Sequence, residues 1–406
     1  MSIEEMVSLG SVTTWLSGGT PDRANSAYWG GRIPWITAAS LKQTWISDSS
    51  QRLTDVGVRR GSQLAPKGAT LVLVRGMALH RELRVGMATR TLSFNQDVKA
   101  LVPRAGLLPE FLVFSLQARK SQILDLVSSA GSGTGVLDTG PLKRLPIWIP
   151  NLKEQHAIVE LLSDAEKSIE MLDYLIAKKM AMKQGVLQQL VSGAGVSTAR
   201  MNDAGREFHL GQLLRRPPRY GINAAASPLT PGVPAYIRIT DIDGHGKFSP
   251  SPKVGVIHPA SLDYLLGDGE LVFARTGASV GKTYLYDPCD GELVYAGFLI
   301  NVAPDPQVLS PKYLFLFTQT KAYWNWVART SVRSGQPGIN GREYAQLPIS
   351  VPDIEMQRAI TEIVGDVDSE IDALVQRLAK AKMVKVGMMQ ELLTGRTRLP
   401  IQEGEA

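Results

Sequence analysis

Cysteine is almost absent. Cys289 stands alone in 406 residues, which excludes a disulfide framework and a thiolate metal cluster and suits a reducing compartment. Histidine is also scarce, and His80, His156, His209, His245 and His258 stand at no metal-ligand spacing. No apolar run nears the ~20 residues needed to span a bilayer. The opening Met1-Ser-Ile-Glu-Glu-Met6 lacks the basic-then-apolar pattern of a signal peptide, so a cytoplasmic location is expected. A strong excess of either charge is missing too. The net charge of +6 and pI near 9.2 permit a polyanionic partner without demanding one.

Catalytic signatures are equally wanting. There is no Gly-x-Ser-x-Gly elbow and no Asn/Asp-Pro-Pro-aromatic signature of an amino-methyltransferase. Gly277-Ala-Ser-Val-Gly-Lys-Thr283 imitates a phosphate-binding loop but separates its glycines by three residues where four are required. The next residues, Tyr284-Leu-Tyr-Asp287, read as a strand, whereas the motif needs a helix amino terminus to hold phosphate. Gly131-Ser-Gly-Thr-Gly135 is a weaker dinucleotide lookalike with no strand before it, and is expected to be a surface loop. A chain of this length without catalytic residues reads as a binder, with no cofactor or metal of its own.

What the chain does have is repetition. Leu145-Pro-Ile-Trp-Ile-Pro-Asn-Leu-Lys-Glu-Gln155 returns 202 residues on as Leu347-Pro-Ile-Ser-Val-Pro-Asp-Ile-Glu-Met-Gln357, and the match runs without a gap to Gly193 and Gly395. More than a third of the paired positions are identical. A period this long signals two copies of a whole domain, since solenoid repeats run ~20–50 residues. The globular parts match more loosely: Gly68–Arg75 aligns with Asp268–Arg275, Leu108–Leu112 with Ser310–Leu314, and Ser132-Gly-Thr134 with Ser334-Gly-Gln336. The expected order is a mixed α/β globule over residues 1–152, a helix over 153–193, a second globule over 194–352, a helix over 353–395 and a tail over 396–406. Ser192-Gly-Ala-Gly-Val-Ser-Thr198 opens the second globule as a flexible linker by composition.

Both helices carry an apolar seam. Ile158, Leu162, Ala165, Ile169, Leu172 and Ile176 step by four and three, continued by Val186 and Leu190. Ile360, Val364, Val367, Ile371, Leu374, Leu378, Met388 and Leu392 fall at the same repeat positions. Both series break at one place, at Lys179 and Lys183 in the first copy and at Ala381 and Lys385 in the second. Matched seams predict that the two helices pair as an antiparallel coiled coil, a rod of about 60 Å. Met171, Leu175, Val384 and Met389 are then left for partner helices.

The basic residues of the globules are the candidate contacts. Arg75, His80, Arg81 and Arg84 fall in and after one strand, and Arg275 and Lys282 lie in the corresponding stretch of the second half. Arginine forks read guanine edges, and both arginine and lysine hold phosphates. Ser132, Thr134, Arg333 and Gln336, in the paired Gly/Ser loops, complete the set.

These segments together resemble the specificity subunit of type I restriction–modification systems. The likeness rests on Leu16-Ser-Gly-Gly-Thr-Pro-Asp-Arg23, Tyr28-Trp-Gly-Gly-Arg-Ile-Pro-Trp-Ile36, Phe94-Asn-Gln-Asp-Val-Lys-Ala-Leu-Val-Pro103, Tyr236-Ile-Arg-Ile-Thr-Asp-Ile-Asp243, Gly269-Glu-Leu-Val-Phe-Ala-Arg-Thr-Gly277 and the twice-present Leu-Pro passage before a long helix. The resemblance implies a non-catalytic subunit whose two target-recognition domains each read one half of a split, asymmetric site on double-stranded DNA. It implies that the paired helices set the gap between the halves and dock two modification subunits that methylate adenine at N6. S-adenosylmethionine, ATP and magnesium then belong to the modification and restriction subunits that join it. A specificity subunit of a related system, whose partner fuses methylation and cleavage in one chain, fits the same features. So does a coiled-coil scaffold with two protein-binding heads, which phosphate contacts and their steep salt dependence would distinguish from a DNA reader.

Overall fold

The computed structural model describes residues 6–131, 133–191 and 206–399. The chain divides into two compact units, Met1–Asp173 with Gln376–Ala406, and Tyr174–Val375. Each unit therefore contains part of both long helices, Leu152–Val191 and Ile354–Leu392. The expected linker lies outside the described residues, as does the tail from residue 400.

Unit 1 is built on a five-stranded sheet in the order Thr13–Ser17, Val98–Pro103, Thr70–Leu73, Val85–Ala88, Trp45–Ile46. Thr70–Leu73 is central and buried at all four residues, which is why it reads as an unbroken apolar run. A second sheet holds Arg52–Leu53, Trp29–Ile36, Leu92–Phe94 and Gln63–Ala65, with Trp29–Ile36 parallel to Leu92–Phe94. Unit 2 repeats the plan with fewer strands. Arg219–Tyr220, Leu299–Val302, Leu271–Ala274 and Thr283–Leu285 form one sheet, and Ala235–Ile237 again runs parallel to Leu293–Tyr295 in the other. The helix expected from Pro109 is present as Pro109–Ala118, with proline in its first turn where the absent N–H costs nothing.

The Leu-Pro passage owes its near identity to a clamp that both units repeat atom for atom. The Gln155 side chain accepts from Leu108 N (2.8 Å) and donates to the carbonyls of Gly106 and Pro150 (2.8 Å each). Gln357 accepts from Ser310 N (2.8 Å) and donates to the carbonyls of Val308 (3.0 Å) and Pro352 (2.8 Å). Both glutamines are fully buried, and each pins the start of a long helix to the turn before the Pro109 or Pro311 helix. Asn151 and Asp353 cap the long helices through the amides of Glu154 (3.0 Å) and Met356 (2.7 Å). Gln155→Ala leaves a buried amide and two carbonyls unpaired. It should lower unfolding stability by about 2–3 kcal/mol, read from the denaturant midpoint, and Gln357→Ala should do the same.

The seams lie where the burial is. Every seam residue with a described side chain is buried or half-buried, from Ile158 and Leu162 in the unit 1 core to Ile360 and Val364 in the unit 2 core. The break in each seam has a reason. In unit 1, Lys385 Nζ meets Glu166 Oε1 (2.9 Å) and Lys382 meets Asp173 (3.5 Å). In unit 2, Lys183 meets Asp368 (2.7 Å) and Lys179 meets Glu370. Within each unit, later residues of one long helix contact earlier residues of the other. Met171 and Val384 are exposed as expected of a free face, and Leu175 is half-buried. Met389 is a correction: it is buried in the unit 1 core beside Leu392 and Leu393 and is not available to a partner. At that helix end, the buried Arg119 guanidinium donates to the carbonyls of Leu393, Pro146 and Ser115 (3.2 Å each), and burial depresses its pKa.

Candidate nucleic-acid interface

Each unit presents a rim where an inner strand of one sheet ends, Thr70–Leu73 in unit 1 and Leu271–Ala274 in unit 2. In unit 1 the amides of Val74 and Arg75 donate to Asp97 O (2.8 and 3.3 Å), and Gly76 N donates to Gly135 O (3.0 Å). Gly76 has φ +153 and Gly135 packs against Leu79 Cβ and Gly76 O, so a side chain at either would disturb the junction. His80 contacts Gly133 O (2.9 Å), which ties the Met77–His80 turn to the tip between Val127–Ser129 and Gly135–Leu137. That tip, expected as a surface loop, joins two antiparallel strands, and Ala130 N donates to Thr134 O (2.9 Å). Arg75, His80 and Thr134 thus share one rim, while Ser132 lies outside the described residues.

Arg75 and Arg81 are exposed, and neither makes a side-chain ion pair among the described residues. Arg84 is engaged internally, through Glu82 (2.7 Å) and Ala38 O (2.5 Å).

In unit 2, Arg275 N donates to Phe298 O (3.0 Å), Ile339 N to Arg275 O (2.9 Å) and Gly277 N to Pro337 O (3.0 Å). These contacts correct one alignment drawn from sequence. Arg75 bridges Val136 and Thr276 bridges Gly338, so Arg75 corresponds to Thr276, and Arg275 corresponds to Val74. Gly68 (φ +87, against Pro109) and Gly269 (φ +74, against Pro311) mark the true register, one residue from the sequence match. Adjacent strand residues face opposite sides, so a slip of one reverses the assignment.

Arg275 stacks over the Tyr220 ring at 4.9 Å, and the Tyr220 hydroxyl accepts from Gly341 N (3.0 Å). Gln336 is exposed with its amide beside Gly277, two residues along the chain from Arg275. Lys282 donates to Ile242 O (3.0 Å), and Arg333 is held by both Glu343 oxygens (2.6 Å each). The Gly277–Lys282 loop rests on two buried tyrosines: Tyr344 donates to Ala274 O (2.8 Å) and Tyr323 to Gly281 O (2.7 Å). Burial pushes both phenols well above their ordinary pKa, as it pushes Tyr313 to about 12, so they serve as neutral props. The loop enters the strand Thr283–Leu285 instead of a helix, in keeping with its failed phosphate-loop spacing.

Sequence reasoning missed a polar cleft in unit 1. A cleft of about 440 Å³ is lined by Thr20, Arg23, Trp35, Thr37, Ala38, Gln51, Asn95, Gln96 and Asp97. It adjoins Arg75 through Asp97. A second hollow of about 310 Å³ shares Arg23 and Gln51 and adds Trp29 and Arg52. The cleft's residues come from four separate stretches of chain, and none of them was among the candidate contacts. Among the described residues no cluster of histidine, cysteine, aspartate and glutamate could hold a metal, and no helix is long and apolar enough to cross a membrane.

The two units thus share one fold plan and one rim junction, and unit 1 adds a polar cleft. Residues 3–178 and 259–383 match the family described as type I restriction modification DNA specificity domain, and the chain belongs to that family. It is 30% identical over 160 residues to the specificity subunit of the type I restriction enzyme EcoR124I/EcoR124II of Escherichia coli, covering 39% of this chain and 40% of that one. It is 31% identical over 159 residues to the MjaIX specificity subunit of Methanocaldococcus jannaschii, covering 38% and 35%. The matches therefore span less than half the length of these relatives. The fold is similar to that of the type I restriction-modification S subunit from M. genitalium, with TM-score 0.58 and 15% identity over 96% of both chains. A chain of a type I system solved for its complex assembly and conformational transition gives TM-score 0.62 and 14% identity over 97% and 98%. At such identity the likeness is one of fold.

Proposed function

We propose that this chain is the non-catalytic DNA-recognition subunit of a type I restriction–modification enzyme, each unit reading one half of a split, asymmetric duplex site. One observation carries the reading: the clamps at Gln155 and Gln357 are the same, while the rims they support differ, Arg75 standing where the second copy has Thr276. Keeping the frame and varying the tip is what two readers of different sequences require. The two long helices act as an antiparallel coiled coil that sets the gap between half-sites, a role supported by the crossed ion pairs within each unit. Their exposed Met171, Met182, Met383 and Val384 offer apolar surface to two modification subunits, which bring S-adenosylmethionine; the restriction subunits bring ATP chemistry. The expected location is the cytoplasm, with its DNA.

A long-read methylation map of the source organism, with and without the gene, tests this. Deletion should remove N6-methyladenine from one split motif and no other. A deletion strain with an unchanged map, while the intact gene is expressed together with its modification partner, would rule the reading out.

A further inference from the structure

The second copy keeps the frame around the Arg23 cleft but not the arginine. In unit 1 the Trp35 indole donates to Gly19 O (3.1 Å) and the Trp29 indole to Asp22 O (3.0 Å), so both rings brace the segment that carries Arg23. The rings stand at right angles, 5.0 Å between centroids, and the exposed Arg23 guanidinium lies in their corner, 5.4 and 5.5 Å from them. In unit 2, Tyr236 takes the place of Trp35 in the equivalent parallel strand pair. Its hydroxyl likewise donates to the carbonyls of Ile222 and Ala224 (3.0 Å each). The corresponding segment, Ile222-Asn-Ala-Ala-Ala226, carries no charged side chain.

The lining of the cleft shows what it would take. Beside Arg23 stands the carboxylate of Asp97, steadied by Asn95 Nδ2 (2.9 Å), and the amide of Gln96, whose oxygen accepts from Thr20 (2.7 Å). Arg23 and Asp97 line one cleft without forming an ion pair among the described residues. A phosphate would meet that carboxylate with repulsion. A base pair that offers two acceptors and then a donor would satisfy both groups, and in the major groove that is G·C: guanine O6 and N7 for the arginine fork, cytosine N4–H for the carboxylate. We infer that Arg23 and Asp97 together read one G·C pair in the half-site of unit 1, a contact that unit 2 lacks. Stacking on two indoles holds the fork in place, so little side-chain entropy is lost on binding.

The inference rests on the DNA-recognition reading and is separable from it. Methylation maps would be compared for strains carrying the wild-type gene, Arg23→Lys and Arg23→Met. Lysine keeps the charge and loses the fork; methionine keeps the bulk over the rings. Both should relax one G·C position in one half-site by about 10–100-fold in discrimination, leaving the other half-site and the gap unchanged. If methylation instead falls evenly at the unaltered motif with Arg23→Met and survives with Arg23→Lys, Arg23 holds a phosphate and the inference is wrong. Unchanged maps, or relaxation in both half-sites, also overturn it. A wild-type gene that directs no motif-specific methylation fails the broader reading. Complete loss in both variants, with normal yield and unfolding midpoint, means no other base is tolerated and supports it. Loss with a collapsed midpoint makes Arg23 a structural residue and refutes it.

Discussion

Seven residues inserted after Ile176, with seven more after Val375, should lengthen the gap between the half-sites by about three base pairs and leave both half-sites as they were. Each helical residue adds ~1.5 Å and turns the remainder of the helix by about 100°, so a heptad adds about 10 Å and returns close to the same face. Duplex DNA rises about 3.4 Å per base pair. On the proposed antiparallel pairing, in which Lys183 meets Asp368, each step along one helix is met by a step back along the other and the two insertion points match. Matched insertions therefore leave Lys183 opposite Asp368 and Lys385 opposite Glu166.

A single residue inserted at the same places should behave differently. It swings Leu172 and Ile176 off the seam relative to Val186 and breaks the ion pairs, so methylation at the split motif should be lost altogether. Methylation mapping distinguishes the three genes. A heptad variant that keeps the original gap would show that something other than the helices measures it.

The repeat made much of the scaffold legible. The Leu-Pro passages and the seams are patterns in the chain itself, although the Gln155 and Gln357 clamps that explain the former reach back 47–49 residues and emerge only in the structure, as do the caps at Asn151 and Asp353. Even the interruption of the seams at Lys183 and Lys385 was visible, although only the structure shows the carboxylates that explain it. The rims were half legible. Arg75, His80 and Thr134 were separate candidates that only the structure brings to one rim, whereas Arg275 was matched to the wrong residue. A run of buried aliphatic residues tolerates a slip of one without any change in its pattern; the packing of Gly68 and Gly269 on prolines fixes the register, and no local pattern reveals that. The Arg23 cleft was least legible. Its walls come from residues near 20, 37, 51 and 96, brought together by strand pairing over long separations, and tryptophans in a strand read equally well as core.

Glu166→Ala should be the most damaging single change in the helices, costing about 3–5 kcal/mol in an equilibrium unfolding measurement. Glu166 Oε1 receives both Lys385 Nζ (2.9 Å) and Thr44 Oγ1 (2.7 Å), and Gln117 in turn donates to Thr44 (3.1 Å). The side chains of Lys385 and Glu166 are only 15% and 12% exposed, and Lys385 lies over the Phe114 ring. Removing the carboxylate strands a lysine charge away from water. Glu166→Leu with Lys385→Leu removes both charges and should recover most of the loss, since apolar replacement of a buried pair is close to neutral.

The equivalent pair in unit 2 supplies the control. Lys183 is comparably shielded, but Asp368 is 45% exposed, so its partner charge can find water by a small rotation. Asp368→Ala should cost only about 1 kcal/mol. Equal losses at Glu166 and Asp368, or a double leucine variant as unstable as Glu166→Ala, would show that burial does not set the strength of these pairs. The seam interruption would then need another cause. With the expected asymmetry, unit 1 holds its two helical segments in one register by a buried charge, while unit 2 relies more on Ile360, Val364 and Leu187 in its apolar core. Cross-helix register is then most vulnerable to single substitutions at Glu166 and Lys385, where two charges and a threonine share one buried contact.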